Sequence, residues 1–172
     1  RFQADEPNRV WVSDVTCFKI NNKYLYVCVI LDLFSRKAVA YRISPKNSTY
    51  LITSTFRQAF QNRNAPQSLI FHSDQGAQYT SKTFRKLLRM NKVVQSFSAP
   101  GQPHDNAVME SFFSFMKREE IYRTQYKSEQ QFAKSVDNYI EFYNTQRPHS
   151  TLNYKTPDQF EAIYEDKKKS VD

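Results

Sequence analysis

Residues 11–43, WVSDVTCFKINNKYLYVCVILDLFSRKAVAYRI, decide the fold. β-Branched and aromatic residues dominate WVSDVTCFKI, and YLYVCVILDLF is a long apolar run with NNK as a turn between them. A second turn leads into SRKAVAYRI, so three consecutive antiparallel strands are expected. Downstream, NSTYLITSTFRQAFQNRN has an Asn/Ser cap and sets Leu51, Ile52, Thr55, Phe56, Ala59 and Phe60 on one helical face. A short buried strand in SLIFHSD, a basic helix in SKTFRKLLRMN and a fifth strand in VVQSF follow. Beyond a Pro/Gly loop, DNAVMESFFSFMKREEIY and SEQQFAKSVDNYIEFYN are helical by period, and TPDQFEAIY opens a last short helix with Pro157 in its first turn. The order β-β-β-α-β-α-β-α-α predicts an α/β fold: a five-stranded mixed sheet flanked by helices. Residues 1–10 are expected as a linker, 11–164 as the core and 165–172 as a flexible charged tail.

With 172 residues the chain can bury one sizeable core. Its 25 Lys and Arg against 17 Asp and Glu leave a net charge of +8, which suits a nucleic-acid partner. No apolar run approaches the roughly 20 residues of a spanning helix and nothing resembles a signal peptide, so a cytoplasmic protein with no membrane partner is expected. Cys17 and Cys28 lie in strand-like segments, and no CxxC or HxxxH pair exists to hold zinc, which predicts two free, buried thiols. The opening on Arg1 reads as a piece of a longer chain.

Only two glycines occur, Gly76 and Gly101, each beside an acidic motif. Such scarcity marks backbone that needs unusual dihedrals or close approach. Asp14 interrupts an otherwise apolar and β-branched strand, where a carboxylate is either a charge on a solvated edge or a metal ligand on a rigid element. Asp74 lies where an apolar strand ends, a place where ligand groups of α/β sheets gather. The HSD run containing it is no triad, because successive residues of an extended chain point to opposite faces. In APGQPHDNAVMESFFSFMKRE, Asp105 and Glu110 differ by roughly 140° around a helix and cannot share a site, whereas Asn106, Glu110 and Lys117 fall on one line within about 40°. Asp105 suits an N-cap. Asp32 competes as an acid, with Arg36 as its expected turn partner. Asp14, Asp74 and Glu110 together offer the hard oxygen set that two divalent cations need for phosphodiester chemistry.

WVSDVT, YLYVCVILDLFSRKAVAY, FHSDQGAQYTS, DNAVMESFFSFMKRE and YIEFYNTQRPHSTLNYKTPDQF resemble, in order, the catalytic core of DDE transposases of the insertion-sequence-three family. That group is similar to retroviral integrases and shares their RNase H-like fold. Thirty-five residues separate Asp74 from Glu110, the interval typical of this group. The resemblance implies Asp14, Asp74 and Glu110 as catalytic metal ligands for two Mg²⁺ (or Mn²⁺) ions, with Asp14 bridging them. It places Lys117 and Asn106 near the reacting DNA end, and implies homo-oligomers assembled on DNA, with end recognition by a preceding helix-turn-helix region. Many relatives carry a basic residue in the loop where this chain has SAPGQPHDNA. Lys82, Arg85 and Lys86 on the basic helix are expected to hold DNA backbone or to form a solvated face. Arg147 and His149 of the closing motif are expected to brace the last helices ahead of touching DNA. The implied activity is DNA cleavage followed by 3′-hydroxyl strand transfer in bacterial transposition. An RNase H-like nuclease without strand transfer and a non-catalytic DNA-binding module are the rivals.

Overall fold

Two asparagines turn the first hairpin. Asn21 and Asn22 both adopt positive φ (49° and 64°), the conformation a two-residue turn needs to match the twist of its flanking strands. The computed structural model describes residues 3–66, 68–99 and 106–171. In it β1 (Val10–Ile20) pairs antiparallel with β2 (Lys23–Asp32), which pairs antiparallel with β3 (Ala38–Ser44). The chain then crosses over through α1 (Thr49–Arg63) to β4 (Ile70–Ser73), parallel to β1. Next come the short α2 (Ala77–Thr80), α3 (Lys82–Met90) and β5 (Val94–Phe97), parallel to β4. The sheet order is β3-β2-β1-β4-β5, the mixed five-stranded sheet expected. α4 (Ala107–Glu119), α5 (Glu129–Thr145) and α6 (Pro157–Val171) complete the chain.

Period-two alternation divides the core. Val10, Val12, Phe18 and Ile20 of β1, with Val27, Val29 and Leu31 of β2, meet Met109, Phe112 and Met116 of α4 and Phe132, Val136 and Tyr143 of α5. Trp11, Cys28 and Ile30 point the other way, onto Ile52 and Phe56 of α1, Phe84 and Leu88 of α3, and Phe71. The hairpin register, Ile20 opposite Lys23, places Asp14 opposite Val29 and Asp32 opposite Trp11. Directly opposed residues share a face, so Asp14 faces α4 while Asp32 faces α1.

Three local expectations change. Asp32 pairs with Arg63, not Arg36: its buried carboxylate accepts from Arg63 Nη2 (3.0 Å) and from the Asn8 and Phe34 amides (2.8 and 2.9 Å). Arg36 turns its guanidinium to the Leu33 carbonyl instead. Cys28 is a buried free thiol as expected, but Cys17 is free and exposed. Within these strands β4 pairs only with Val10 to Val12, so the far end of β1 lacks a neighbour on that side. Finally, α6 runs through the lysines to Val171 where a tail was expected. Glu and Lys are strong helix formers, and Lys168 and Lys169 in its last turn suit the helix dipole. Asp105 and Gly101 lie outside the described residues.

Candidate active site

Asp14 sits half-buried at the middle of β1. Its Oδ1 accepts the Val15 amide (2.8 Å) and its Oδ2 accepts Asn106 Nδ2 (3.3 Å). Burial pushes its carboxyl up to about 6; the charges of Asp74 and Glu110 add to the rise, and the two hydrogen bonds oppose it. One step behind, Ser13 points to the opposite face, where its hydroxyl meets Tyr79 OH (2.9 Å) and the Val29 carbonyl (2.9 Å). That buried pair ties the strand bearing Asp14 to α2, which carries Tyr79.

Asp74 follows β4 by one residue. The parallel register ends with Val12 paired to His72, and just beyond it Asp74 lies near enough for its charge to raise the Asp14 carboxyl. Its Oδ1 accepts the Gly76 amide at 2.8 Å, an Asx turn that ends the strand. Gly76 has ordinary dihedrals (φ −57°, ψ 150°), so its need is for space: a Cβ there would lie 3.0 Å from Asp74 Oδ1. His72 is buried with its ring nitrogens 3.0 and 3.1 Å from the Ser96 and Ser98 hydroxyls, while Ser73 Oγ donates to the Asp74 carbonyl (2.8 Å). These three neighbours form no nucleophilic triad.

α4 supplies the remaining groups. Met109, Phe112, Phe113 and Met116 anchor it on the sheet, leaving Glu110 exposed in its first turn. Glu110 and Lys117 line one cavity of about 470 Å³ with Asp14, Thr16, Arg118 and Tyr122. Lys117 Nζ stands 5.6 Å from the Phe18 ring centroid. Asn106 is the N-cap residue of α4 rather than an interior position, and its buried Oδ1 has no hydrogen-bond partner among the described residues. Arg118 and Tyr122 were missed in the sequence, although both lie in the KREEIYR run that follows Glu110.

Asp14 thus feels both other acids, yet among the described residues no three acidic, His or Cys side chains stand ready to close on one cation. No ion pair neutralises Asp14, Asp74 or Glu110 among those residues either. Lys82, Arg85 and Lys86 project from α3, whose Phe84 and Leu88 pack on the sheet face opposite α4. They are exposed, with Arg85 over the Phe97 ring at 6.0 Å, and belong to a different surface from Lys117.

Arg147 and His149 brace the last helices. Arg147 grips Glu119 of α4 with two hydrogen bonds (2.8 and 2.7 Å), and Tyr139 OH of α5 donates to the same carboxylate (2.7 Å). The His149 ring lies edge-on to Tyr143, with centroids 4.8 Å apart.

A β3-β2-β1-β4-β5 sheet with an acid at mid-β1, one past β4 and one on the helix after β5 defines an RNase H-like core of the integrase type. Solved structures of that type superimpose on it. A chain of the simian T-cell lymphotropic virus intasome in complex with PP2A regulatory subunit B56 gamma aligns over 93% of this chain and 56% of its own, with TM-score 0.81 and 18% identity. The HTLV-2 integrase catalytic core domain in complex with magnesium (trimeric form) aligns over 92% and 99%, with TM-score 0.75 and 17% identity. The chain belongs to the integrase core domain family, whose models match residues 4–103 and 91–157. It is 40% identical over 161 residues to the transposase for insertion sequence element IS904 of Lactococcus lactis subsp. lactis (strain IL1403), covering 93% of this chain and 64% of that protein. It is 35% identical to transposase InsF for insertion sequence IS3A of Escherichia coli (strain K12), covering 93% of this chain and 56% of that protein. The chain therefore spans about three-fifths of the curated relatives' length.

Proposed function

We propose that this chain is the catalytic core of an insertion-sequence transposase, cleaving DNA at an element's end and joining the freed 3′-hydroxyl to a second phosphodiester. The observation that carries it is Asp14: a carboxylate raised to about 6 among Asp74 and Glu110, with Lys117 lining its cavity. The charges of Asp74 and Glu110 both raise the Asp14 carboxyl, and a bound cation would relieve that repulsion. The donor set fits hard divalent cations, since carboxylate oxygens are their preferred ligands and the orphaned Asn106 Oδ1 can accept from a coordinated water. Asp14, Asp74 and Glu110 would hold two Mg²⁺ or Mn²⁺ ions. These would supply charge stabilisation at the attacking and leaving oxygens of an in-line displacement.

The chain's own residues do the rest. Asn106 holds the Asp14 carboxylate in place through its amide. Lys117 offers a cation to the phosphate backbone beside the acids, and Tyr122 and Arg118 extend that wall. The exposed charges of Lys82, Arg85 and Lys86 form a second, sequence-independent grip on DNA. Assembly of several copies on DNA would bring two element ends together. No described helix is long and apolar enough to cross a membrane.

Asp74→Asn tests the assignment. It is expected to abolish Mg²⁺-dependent nicking and to weaken Mn²⁺ binding measured by calorimetry, while DNA binding persists. Unchanged nicking would remove Asp74 from the chemistry. A strand-transfer assay with pre-nicked ends separates a transposase from a nuclease that only hydrolyses.

A further inference from the structure

The other side of α4 borders a second cavity, of about 530 Å³, whose wall includes Phe115, Tyr143, Arg147, His149, Tyr154 and Arg36. Its frame is held firmly. Arg147 is fixed on Glu119 by two hydrogen bonds, and its guanidinium lies 4.1 Å from the Phe115 ring centroid. His149 is only 6% exposed, and its buried Nε2 has no hydrogen-bond partner among the described residues. Burial, then the charges of Arg147 and Arg36, push that imidazole down to about 4, so it is uncharged at neutral pH and carries one donor and one acceptor nitrogen. A buried polar atom left unmatched is costly, and a ligand that reaches it removes the cost. Tyr154 stands at the rim with 74% of its surface open. Arg36 has no carboxylate within ion-pair reach among the described residues.

An open aromatic plane, an unmatched neutral hydrogen-bonding atom and a guanidinium that donates to the Leu33 carbonyl but has no carboxylate partner among the described residues together match the three parts of a nucleotide. The volume falls within the range of small-ligand sites. α4 carries Glu110 and Lys117 on one side and this cavity on the other, and a helix with its side chains is only about 10–12 Å across. A DNA strand held at the acids would need to extend only a few nucleotides around α4 to reach the cavity mouth. A paired base cannot enter such a recess, whereas an unpaired one offers a free face for stacking.

We propose that this cavity receives one unpaired nucleobase of the bound DNA, with Tyr154 stacking on it, His149 Nε2 meeting its hydrogen-bonding edge and Arg36 facing its phosphate. The inference rests on the DNA-processing reading above.

The test uses the 172-residue chain and two DNA duplexes, one blunt and one with a short unpaired overhang carrying 2-aminopurine. Anisotropy reports binding, and 2-aminopurine emission reports capture of the base. The wild-type chain is expected to bind the overhang duplex more tightly than the blunt one, with a changed emission. Tyr154→Ala and Arg36→Gln are each expected to weaken overhang binding by at least about fivefold, the low end for one stacked base. Both variants must melt as the wild type does; Tyr154 is an exposed rim residue, so its loss leaves the core intact. DNA bound with unaltered emission, or an altered emission that survives Tyr154→Ala, overturns the pocket and leaves the transposase reading standing. Failure of both duplexes to bind overturns the pocket together with that reading. Displacement of the overhang by dAMP at low concentration would overturn a DNA base as occupant in favour of a free nucleotide.

Discussion

Gly76→Ala separates geometry from stability at the candidate site. The backbone at Gly76 (φ −57°, ψ 150°) suits alanine, so the substitution imposes no dihedral strain. Ala in place of Gly restricts the unfolded chain, which alone stabilises by ~0.4–1 kcal/mol. Against this, the new Cβ would stand 3.0 Å from Asp74 Oδ1, inside ordinary carbon–oxygen contact, so the carboxylate must move by a few tenths of an ångström. That shift stretches the 2.8 Å hydrogen bond from the Gly76 amide toward the long end of the ordinary range, a loss of at most about 1 kcal/mol. The two effects nearly cancel, and the melting temperature is expected to stay within about 4 °C of wild type. Catalysis has no such compensation. A misplacement near 1 Å costs about 100-fold in rate, so a displacement of a few tenths is expected to cost roughly tenfold, about 1.4 kcal/mol of transition-state stabilisation. The assay is Mg²⁺-dependent nicking of an end-labelled duplex, alongside thermal melting of the same preparation. An unchanged nicking rate, or a rate loss matched by a large drop in melting temperature, would refute the claim that Gly76 exists to seat Asp74.

Arg63→Met strips the partner from two carboxylates that are little exposed, Asp32 at 0% and Glu161 at 14% side-chain exposure, and is expected to cost about 3–5 kcal/mol. Burial raises the Glu161 carboxyl, but the hydrogen bonds and charge of Arg63 outweigh it and hold the group below its ordinary value. Its stabilisation is therefore present above the unfolded pKa and lost as pH falls through the folded one, so the urea-midpoint gap between wild type and variant should shrink from pH 7 to below 4. An equal gap at both values contradicts the pairing. Asn144→Leu removes the amide that both accepts from and donates to the Ala38 backbone (2.9 and 3.0 Å), leaving that strand edge unmatched. Destabilisation by about 2–4 kcal/mol is expected, with faster hydrogen exchange at the Ala38 amide; protection at the wild-type level would show that Asn144 does not cover the edge.

The alternation of apolar residues in 11–43 was enough to predict the hairpins, because a strand with a buried face must repeat every two residues. Spacing and motif resemblance singled out Asp14, Asp74 and Glu110, and the first of these does stand in the field of the other two. Side-chain partners were less legible. Arg63 lies 31 residues from Asp32 and reaches it only because the crossover helix α1 packs on that face of the sheet. The cap position of Asn106 escaped helical-phase reasoning because phase assumes that the helix has already begun. α2 is a single turn, too short to show a period. The cavity beside His149 is likewise built from residues distant in the chain, from the β2–β3 turn to the segment before α6.

Asp14 and Asp32 show how register decides between chemistry and structure. Both are aspartates on one hairpin, both are raised by burial, and composition offers nothing to separate them. The two-residue Asn21-Asn22 turn pairs Ile20 with Lys23, and every later pairing follows from it. One more residue in that turn would exchange the faces of β2 relative to β1. As built, Asp32 meets a guanidinium and two backbone amides that match its charge within the protein. Asp14 meets a single amide side chain, a backbone N–H and two further acids, and among the described residues no cation pairs with it. A buried charge that the protein leaves unmatched favours a partner from outside, and on the proposed reading the cavity shared with Glu110 and Lys117 would receive it.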